Sequence, residues 1–360
     1  MDKVIVGMSG GVDSSVAAAK LIEAGYEVIG VTATMWDGAT ADIEDAQAVC
    51  NALGIRHIVV DMRDVFRKNV VDYFVDEYCR VRTPNPCNMC NRFCKWQALI
   101  QTADSLGAKY VATGHYARIR KLENGRYTIA NSETAVKDQT YALCFLTQEQ
   151  LSRTLMPLGD YTKDQVREMA NALGITVANK KDSQDICFIP NKDYREFIDG
   201  YIEQNGSSEE LLEKYARASA EGDFVDCEGR VLGRHKGLLS YTYGQRRGLG
   251  VSAKTRLCVI DMDTQGGSIV LGEDETAYRN ELTCSSMNWM AQEHAKDEIR
   301  ALVKIRYAHR GEYATVYSSD GVSCRIVFDN PVRAITPGQP VVLYSEDYVL
   351  GAGIIDDFSK

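Results

Sequence analysis

The run Val4-Ile5-Val6-Gly7-Met8-Ser9-Gly10-Gly11-Val12-Asp13-Ser14-Ser15 sets a strand, a turn and a helix start side by side. Val4, Ile5 and Val6 form the short apolar run of a strand buried on both faces, and residues 14–24 turn alanine-rich with helical spacing. Between them, Gly10 and Gly11 can take positive φ and let a ligand approach the backbone. Ser9, Asp13, Ser14 and Ser15 bring hydroxyls and a carboxylate to the helix start. Unpaired N–H groups there point at whatever precedes the helix, so the turn suits an anion, each charge-assisted hydrogen bond being worth about 1.5–3 kcal/mol. The same residues would also serve a plain glycine-rich turn with a capping Asp.

Outward from this turn, residues 27–32 read as a second strand, 43–53 as a helix and 55–61 as a third strand, the alternation that builds a parallel sheet. Ligands bind such sheets at the carboxyl ends of the strands, so the first turn and Ala33, past the second strand, are expected to share a site. A helical stretch over 64–80 must end before Thr83-Pro84-Asn85-Pro86, because a residue preceding proline is pushed out of the α region. This stiff loop carries Cys87, Cys90 and, one helical turn further, Cys94. With 91–106 helical, Cys90 is expected at or near a helix N-terminus, where the dipole favours thiolate over thiol. A fourth strand over 110–113 runs into Gly114-His115-Tyr116-Ala117; on these residues alone His115 reads as a satisfied polar group or as a functional one.

Residues 118–134 suggest a hairpin around Asn124-Gly125, followed by Lys137-Asp138-Gln139-Thr140-Tyr141 before an apolar helix. Cys187, between Ile186 and Phe188, reads on its own as buried core. The polar, acidic stretch 198–220 marks a domain boundary. Beyond it the periodicity becomes two, as in small barrels, with strands expected over 301–307, 313–317, 323–328 and 340–344. Tyr241, Tyr243 and Arg246 are candidates for stacking on bases.

A chain of 360 residues suggests two or three domains. No stretch approaches the roughly 20 apolar residues of a membrane span, and the first residues lack a signal-peptide layout, so a cytoplasmic protein without a membrane partner is expected. Eleven cysteines then argue for thiol chemistry or metal binding before structural disulfides. The net charge of −9 argues against nucleic acid on average, yet phosphate contacts need only a local basic face. Residues 78–103 carry Arg80, Arg82, Arg92 and Lys95 with no acid, and residues 229–256 carry seven basic residues with none.

The first turn lacks the lysine of a Walker loop and the spaced glycines of a dinucleotide fold. Ser9-Gly10-Gly11-Val12-Asp13-Ser14 resembles instead the pyrophosphatase loop of enzymes that split ATP between its α and β phosphates and activate a carbonyl oxygen as an adenylate. Further motifs follow in order: the paired-proline cysteine segment, Gly114-His115-Tyr116-Ala117, Lys137-Asp138-Gln139-Thr140-Tyr141 and Ser183-Gln184-Asp185-Ile186-Cys187-Phe188. Gly233-Arg234-His235-Lys236-Gly237 and the run from Tyr241 through Gln245-Arg246-Arg247 to Gly250 complete the set. With these the chain resembles, over nearly its whole length, the tRNA-uridine 2-sulfurtransferase family.

The resemblance implies an α/β fold in three parts: a parallel-sheet pyrophosphatase-loop domain (1–202), a small central tRNA-binding domain (203–278) and a C-terminal β-barrel (279–360). It implies that ATP adenylates the C2 oxygen of the wobble uridine in tRNAs for Lys, Glu and Gln, releasing pyrophosphate, and that sulfur from a sulfur-carrier protein or sulfide then displaces AMP. Gly7, Met8, Ser9, Gly10, Gly11, Val12, Asp13 and Ser14 match the ATP loop, with Ala33 and Gly114 as further ATP contacts and Asp13 near a Mg²⁺ ion. Asn85, Pro86 and Cys87 match the segment that meets the target base, Cys90 the nucleophile and Cys187 the sulfur carrier. His115, Lys137, Asp138, Gln139, Arg306, Tyr307 and Gln339 match positions that touch tRNA.

Cys87 stands where many relatives have Asp, which leaves two sulfur routes open. In one, Cys187 carries a persulfide and Cys90 resolves the product through a disulfide. In the other, Cys87, Cys90 and Cys187 hold a [4Fe-4S] cluster with one open iron; zinc would need Cys94 as a fourth ligand. An amidating ligase of the same loop class and a catalytically silent RNA-binding protein are the rival readings.

Overall fold

The computed structural model describes all residues except 39, 133–137, 176–185, 190, 207, 294–297, 319 and 360. Lys137 and most of the segment before Cys187 therefore lie outside the described residues.

The chain opens with β1 (Lys3–Gly7), α1 (Val12–Glu23), β2 (Glu27–Thr34), α2 (Thr40–Leu53) and β3 (Arg56–Asp61). Val4, Ile5 and Val6 are wholly buried, as expected of a strand with helices on both faces. After α3 (Arg63–Phe66), a π-helical turn (Arg67–Val71) leads into α4 (Asp72–Cys79). A second composite helix runs through α5 (Pro86–Met89), a π-helical turn (Cys90–Lys95) and α6 (Trp96–Leu106). Then come β4 (Tyr110–Ala112), the hairpin β5 (Arg118–Lys121) and β6 (Tyr127–Ala130), α7 (Gln148–Ser152), β7 (Thr154–Leu155) and α8 (Lys163–Ala172).

The parallel sheet has the order β3-β2-β1-β4-β7. The chain builds outward from β1 on one side before returning to β4 on the other, so the topological switch point lies between β1 and β4. Ligands of doubly wound folds sit in that crevice, at the strand C-termini. The turn after β1 and the segment Thr113 to Tyr116 after β4 are its two walls.

The stretch read as a polar boundary instead holds two packed helices, α9 (Tyr194–Asn205) and α10 (Glu209–Ser219). Ile198 and Ile202 join Phe66, Phe74, Cys90 and Phe188 in one apolar cluster; the polarity belongs to the helices' outer faces. A four-stranded sheet follows, built of β8 (Gly222–Val225), β9 (Val231–His235), β10 (Leu257–Asp263) and β11 (Ser268–Glu273), in the order β10-β11-β8-β9.

The last part is a closed barrel of six strands: β12 (Tyr278–Trp289), β13 (Glu298–Lys304), β14 (Glu312–Tyr317), β15 (Cys324–Arg333), β16 (Pro340–Ser345) and β17 (Tyr348–Phe358). The pairing of β12 with β17 closes it, which removes the exposed edges an open sheet would leave. The barrel is fused to the N-terminal part through a shared core that holds Ile5, Trp96, Ile129, Tyr141, Val342 and Val349. Arg126 donates to Met290 O (2.9 Å) and Trp289 O (2.8 Å), and Arg120 pairs with Asp347 (2.9 Å). Among the described residues no helix is long and apolar enough to cross a membrane.

Candidate active site

The turn after β1 is fastened by its own side chains. Ser14 Oγ accepts from the Ser9 N–H (3.2 Å) and donates to Gly11 O (3.1 Å), while Ser15 Oγ donates to Gly11 O (2.8 Å). Met8 is buried and tied to β2, its N–H donating to Val31 O and its carbonyl accepting from the Thr32 hydroxyl, each at 2.8 Å. Gly10 has a φ of +66°, and a Cβ there would lie 2.7 Å from both Asp42 O and Asp45 Cβ; a side chain would have to displace α2. Gly11 is the N-cap of α1 and brings no side-chain acceptor. The first-turn amides, beginning at Val12, are thus left for a ligand in the switch point.

Gly114 lies against the back of this loop. A Cβ on it would stand 2.6 Å from Asp13 C and 2.7 Å from Ser14 N, so only glycine lets the end of β4 approach. Ala33, near the end of β2 and opposite Val60, lies two residues beyond the level where Gly7 faces Val31. Asp13, matched by resemblance to a magnesium site, is already engaged. Its carboxylate accepts from Lys163 Nζ at 2.7 and 2.8 Å and from the Tyr116 hydroxyl at 2.8 Å. Nothing in the sequence pointed to Lys163, which lies 150 residues downstream.

The cysteines gather on the neighbouring helix. Its N-terminus is Pro86 rather than Asn91: Asn85 is the N-cap, its Oδ1 accepting from the Cys87 N–H at 3.1 Å, and Pro86 supplies a preset φ in the first turn. Cys87 therefore occupies the first turn and Cys90 the second, which corrects the expected placement. Asn88 and Asn91 pin this helix from below, donating to Tyr141 O (2.7 Å) and Ala142 O (2.9 Å). Trp96, fully buried with Nε1 donating to Thr154 Oγ1 (2.8 Å), anchors the far end; such a residue is worth about 3–5 kcal/mol against alanine.

Between these anchors the π-helical turn changes the side-chain register. With more residues per turn than an α-helix, Cys90, Cys94 and Lys95 are brought to one side; π-turns of this kind recur at functional sites. Cys90 is buried, and the thiol of Cys94 hydrogen-bonds to it. That bond lowers the Cys90 pKa against the upward push of burial, with the Lys95 charge assisting, while Cys94 is raised in exchange.

Lys95 is exposed to water, although protein atoms crowd its ammonium. Burial works against its charge, but the thiols of Cys90, Cys87, Cys187 and Cys94 outweigh that and raise its pKa. Cys187, expected in the core, is exposed; its neighbours Phe188 and Ile189 are the buried ones, Phe188 packing edge-on against Phe66, Phe74 and Phe197. Desolvation and the nearby Cys90 push Cys187 up to about 11, with Lys95 opposing. Cys87 is also exposed and raised by desolvation, again against Lys95. The three thiols, distant in sequence, thus feel one another's charge around a single ammonium, and all are free thiols.

His115 Nδ1 pairs with Thr113 Oγ1 (2.8 Å), and its ring lies 5.7 Å from that of Trp96. Burial, then Lys95, push its pKa down to about 3, so it is neutral at pH 7. Gln139 Oε1 accepts from the Tyr116 N–H (2.8 Å), and Asp138 accepts from Thr140 Oγ1 (2.7 Å). Arg306 donates to Arg333 O (2.8 Å), and Gln339 Nε2 donates to Thr83 O (2.7 Å). The segment before β16 thereby grips the proline-cysteine loop, with the Thr83 N–H donating to Pro337 O at 2.8 Å. Tyr307, 56% exposed, presents its ring beside Tyr141 at 6.2 Å. Most of these side chains are engaged in holding the protein together.

The expected base-stacking trio fares differently. Tyr241 is buried against Phe224, Tyr243 packs on Phe358, and Arg246 is paired with Asp274. Half of the first basic patch is neutralised in the same way, Arg80 pairing with Asp76 and Arg82 with Glu77, each at 2.8 Å. In the second, Arg230 and Arg234 pair with Asp226 and Asp223. Lys236, Arg247, Lys254 and Arg256 stay exposed and, among the described residues, without an ion pair.

Among the described residues no group of three or more His, Cys, Asp or Glu side chains stands close enough to hold a metal ion. The donor set Cys87, Cys90 and Cys187, as arranged, does not fit a [4Fe-4S] cluster.

Sequence models of three domains match in succession: a tRNA methyl transferase HUP domain over 2–191, a tRNA methyl transferase PRC-barrel domain over 209–273 and an aminomethyltransferase beta-barrel domain over 279–355. Curated relatives match from end to end. The tRNA-specific 2-thiouridylase MnmA of Lachnoclostridium phytofermentans is 45% identical, covering 99% of either chain. Proteins of the same name from Acetivibrio thermocellus and Clostridium acetobutylicum are each 45% identical over 98% of this chain and 99% of theirs.

Proposed function

The chain belongs to the tRNA-specific 2-thiouridylase family, and from that premise we propose that it makes 2-thiouridine at the wobble position of tRNA with ATP as co-substrate. The observation that carries the reading is the adjacency of two sites. An anion-binding turn occupies the switch point of a parallel sheet, and one helix away Cys90, Cys87 and Cys187 surround Lys95. Neither an amidating ligase nor a silent RNA-binding protein has a use for that thiol group.

The first step uses the turn. First-turn amides of α1 bind the phosphates of ATP, and the C2 oxygen of the uridine attacks the α phosphate, forming an adenylate and releasing pyrophosphate. Mg²⁺, which as a hard cation neutralises phosphate oxygens when bound, would have Asp13 as its carboxylate, and that group now holds Lys163. The second step uses the thiols. The Cys187 thiolate takes the outer sulfur of a donor persulfide, whose S–S bond breaks to release the donor thiol, and the new persulfide's outer sulfur attacks C2 as AMP departs. The Cys90 thiolate attacks the inner sulfur, the S–S bond breaks, and the outer sulfur stays on C2. A Cys90–Cys187 disulfide remains, to be opened by a cellular dithiol that takes its place. No step passes through a cluster.

The side chains of His115, Asp138, Gln139, Arg306, Tyr307 and Gln339, with Asn85, Pro86 and Cys87, receive the anticodon loop. Tyr307, the exposed ring, is the stacking surface. The preference for tRNAs of Lys, Glu and Gln, a cytoplasmic location and a sulfur-carrier protein bearing persulfide sulfur as donor belong to this proposal.

Incubation of the protein with undermodified tRNA, ATP and a persulfide sulfur donor is expected to give tRNA-dependent pyrophosphate release and a wobble uridine heavier by the oxygen-to-sulfur difference in mass spectrometry. Pyrophosphate release without tRNA dependence, or none, would remove the reading. Lys236, Arg247, Lys254 and Arg256 are the basic face for RNA phosphates. Alanine at all four is expected to weaken tRNA binding uniformly and to flatten the slope of log affinity against log salt by about one for each phosphate no longer neutralised. An unchanged slope in filter binding would move the RNA elsewhere.

A further inference from the structure

The turn after β1 lacks the lysine that lets a Walker loop reach the terminal phosphates of a nucleotide. A lysine nevertheless stands at its mouth. Lys163 opens α8, behind a capping box in which the Thr162 hydroxyl accepts from the Gln165 N–H and the Gln165 side chain accepts from the Thr162 N–H. Its ammonium reaches across to Asp13, in the first turn of α1, at 2.7 and 2.8 Å and lies 5.9 Å from the centre of the Tyr116 ring. Only 11% of the Lys163 side chain is exposed, against 27% for Asp13. A long cationic side chain this enclosed has given up hydration and is held in place at the helix N-terminus. Asp13 is itself fixed by the Tyr116 hydroxyl (2.8 Å) and backed by Gly114, where no side chain fits. The ammonium is therefore held beside the amides that the nucleotide would use.

We propose that Lys163 is a phosphate-binding residue of the ATP site, a Walker-type lysine supplied from a distant helix and stored on Asp13 until the nucleotide arrives. This inference rests on the reading of the turn as the ATP site. When ATP binds, the ammonium turns from Asp13 to the β and γ phosphates, so its contribution is felt by triphosphate and pyrophosphate and hardly at all by AMP. It holds the leaving group in the adenylation step and has no role in sulfur transfer.

Isothermal titration of the full chain with α,β-methylene-ATP and with AMP tests the assignment. For K163M, affinity for the triphosphate is expected to fall about ten- to hundredfold while affinity for AMP changes less than threefold. K163R, which keeps the charge, is expected to regain most of the difference. Binding of tRNA, which does not need the ammonium, is expected to be unchanged. If K163M fails to fold, K163Q, whose amide can still donate to Asp13, is read instead, with the same loss expected. A folded K163M or K163Q that keeps the native ratio of triphosphate to AMP affinity overturns the proposal and leaves Lys163 as a tie between α1 and α8. Should the unaltered chain bind neither nucleotide, the ATP-site reading itself fails, a result distinct from a lost ratio.

Discussion

Alanine in place of Cys187 is expected to abolish 2-thiouridine formation, a loss of about 10³-fold or more as for other covalent nucleophiles, while the tRNA-dependent release of pyrophosphate persists. The separation follows from where the thiol sits. Cys187 is exposed and close enough to Cys90 and Lys95 to feel their charge, whereas the turn proposed for ATP is built from the residues that follow β1. Raised to about 11, the thiol is almost wholly protonated at pH 7. It is a poor nucleophile in its own right, so sulfur uptake from a donor draws on the small thiolate fraction that the Lys95 charge favours. Its removal leaves the fold intact, because Phe188 and Ile189 make the buried contacts of this turn; a stability change within about 0.5 kcal/mol is expected. The measurements are pyrophosphate release and nucleoside mass spectrometry on the same reaction, with a thermal melt as control. Normal thiolation in the Ala variant would dismiss Cys187 as the carrier.

The reading of Cys187 illustrates what the sequence could and could not tell. Its neighbours Ile186 and Phe188 make an apolar run, and an apolar run reads as core; in an irregular turn the burial falls on Phe188 and Ile189 instead. The parallel sheet was legible because β1 to β4 carry the unbroken apolar pattern and glycine punctuation of strands with helical crossovers. The glycine turn, Gly114 and the proline-cysteine loop were legible as motifs, each demanding a particular backbone. The two π-turns were not, since one added residue in a helix leaves no compositional trace, yet one of them gathers Cys90, Cys94 and Lys95.

Partners distant in sequence were equally hidden. Asp274 takes up Arg246 and Arg333, and counting acids only within residues 229–256 made Arg246 look free. The barrel strand β17 escaped notice for a physical reason. It pairs with β12 on one side and β16 on the other and is buried along most of its length, so it shows none of the alternation that marks a half-exposed strand. The hold of that barrel on the proline-cysteine loop, Gln339 onto Thr83 O and the Thr83 N–H onto Pro337 O, joins two ends of the chain that no local pattern connects.

Methionine in place of Lys95 is expected to shift the acid limb of the pH profile for thiolation upward by about one pH unit or more. The argument concerns the Cys90 thiolate. Its pKa is lowered first by the hydrogen bond from Cys94, against burial, and then by the Lys95 charge. A group with a lowered pKa holds its anion at lower pH, so the native enzyme keeps nucleophilic thiolate below the ordinary thiol value of about 8.5. Without the ammonium, burial is opposed by the Cys94 bond alone, and the thiolate fraction at neutral pH falls.

Wherever the pH lies below the pKa, raising the pKa by one cuts the thiolate fraction about tenfold. At pH 7, close to the lowered Cys90 value of about 7, activity is expected to drop about fivefold and to recover toward pH 9, a recovery that a misfolded variant could not make. Arginine at the same position should restore most of the native profile, and alanine at Cys94 should displace it in the same direction as methionine at Lys95. His115 does not confuse the result: burial is the first cause of its depression to about 3 and Lys95 the second, so losing the ammonium raises it only part of the way and leaves it neutral at pH 7. The cleanest readout is the rate of Cys90 alkylation by iodoacetamide against pH, followed by peptide mass spectrometry in the absence of tRNA and sulfur donor. An alkylation profile unmoved by the methionine substitution would show that the π-turn brings Lys95 near the thiols without tuning them.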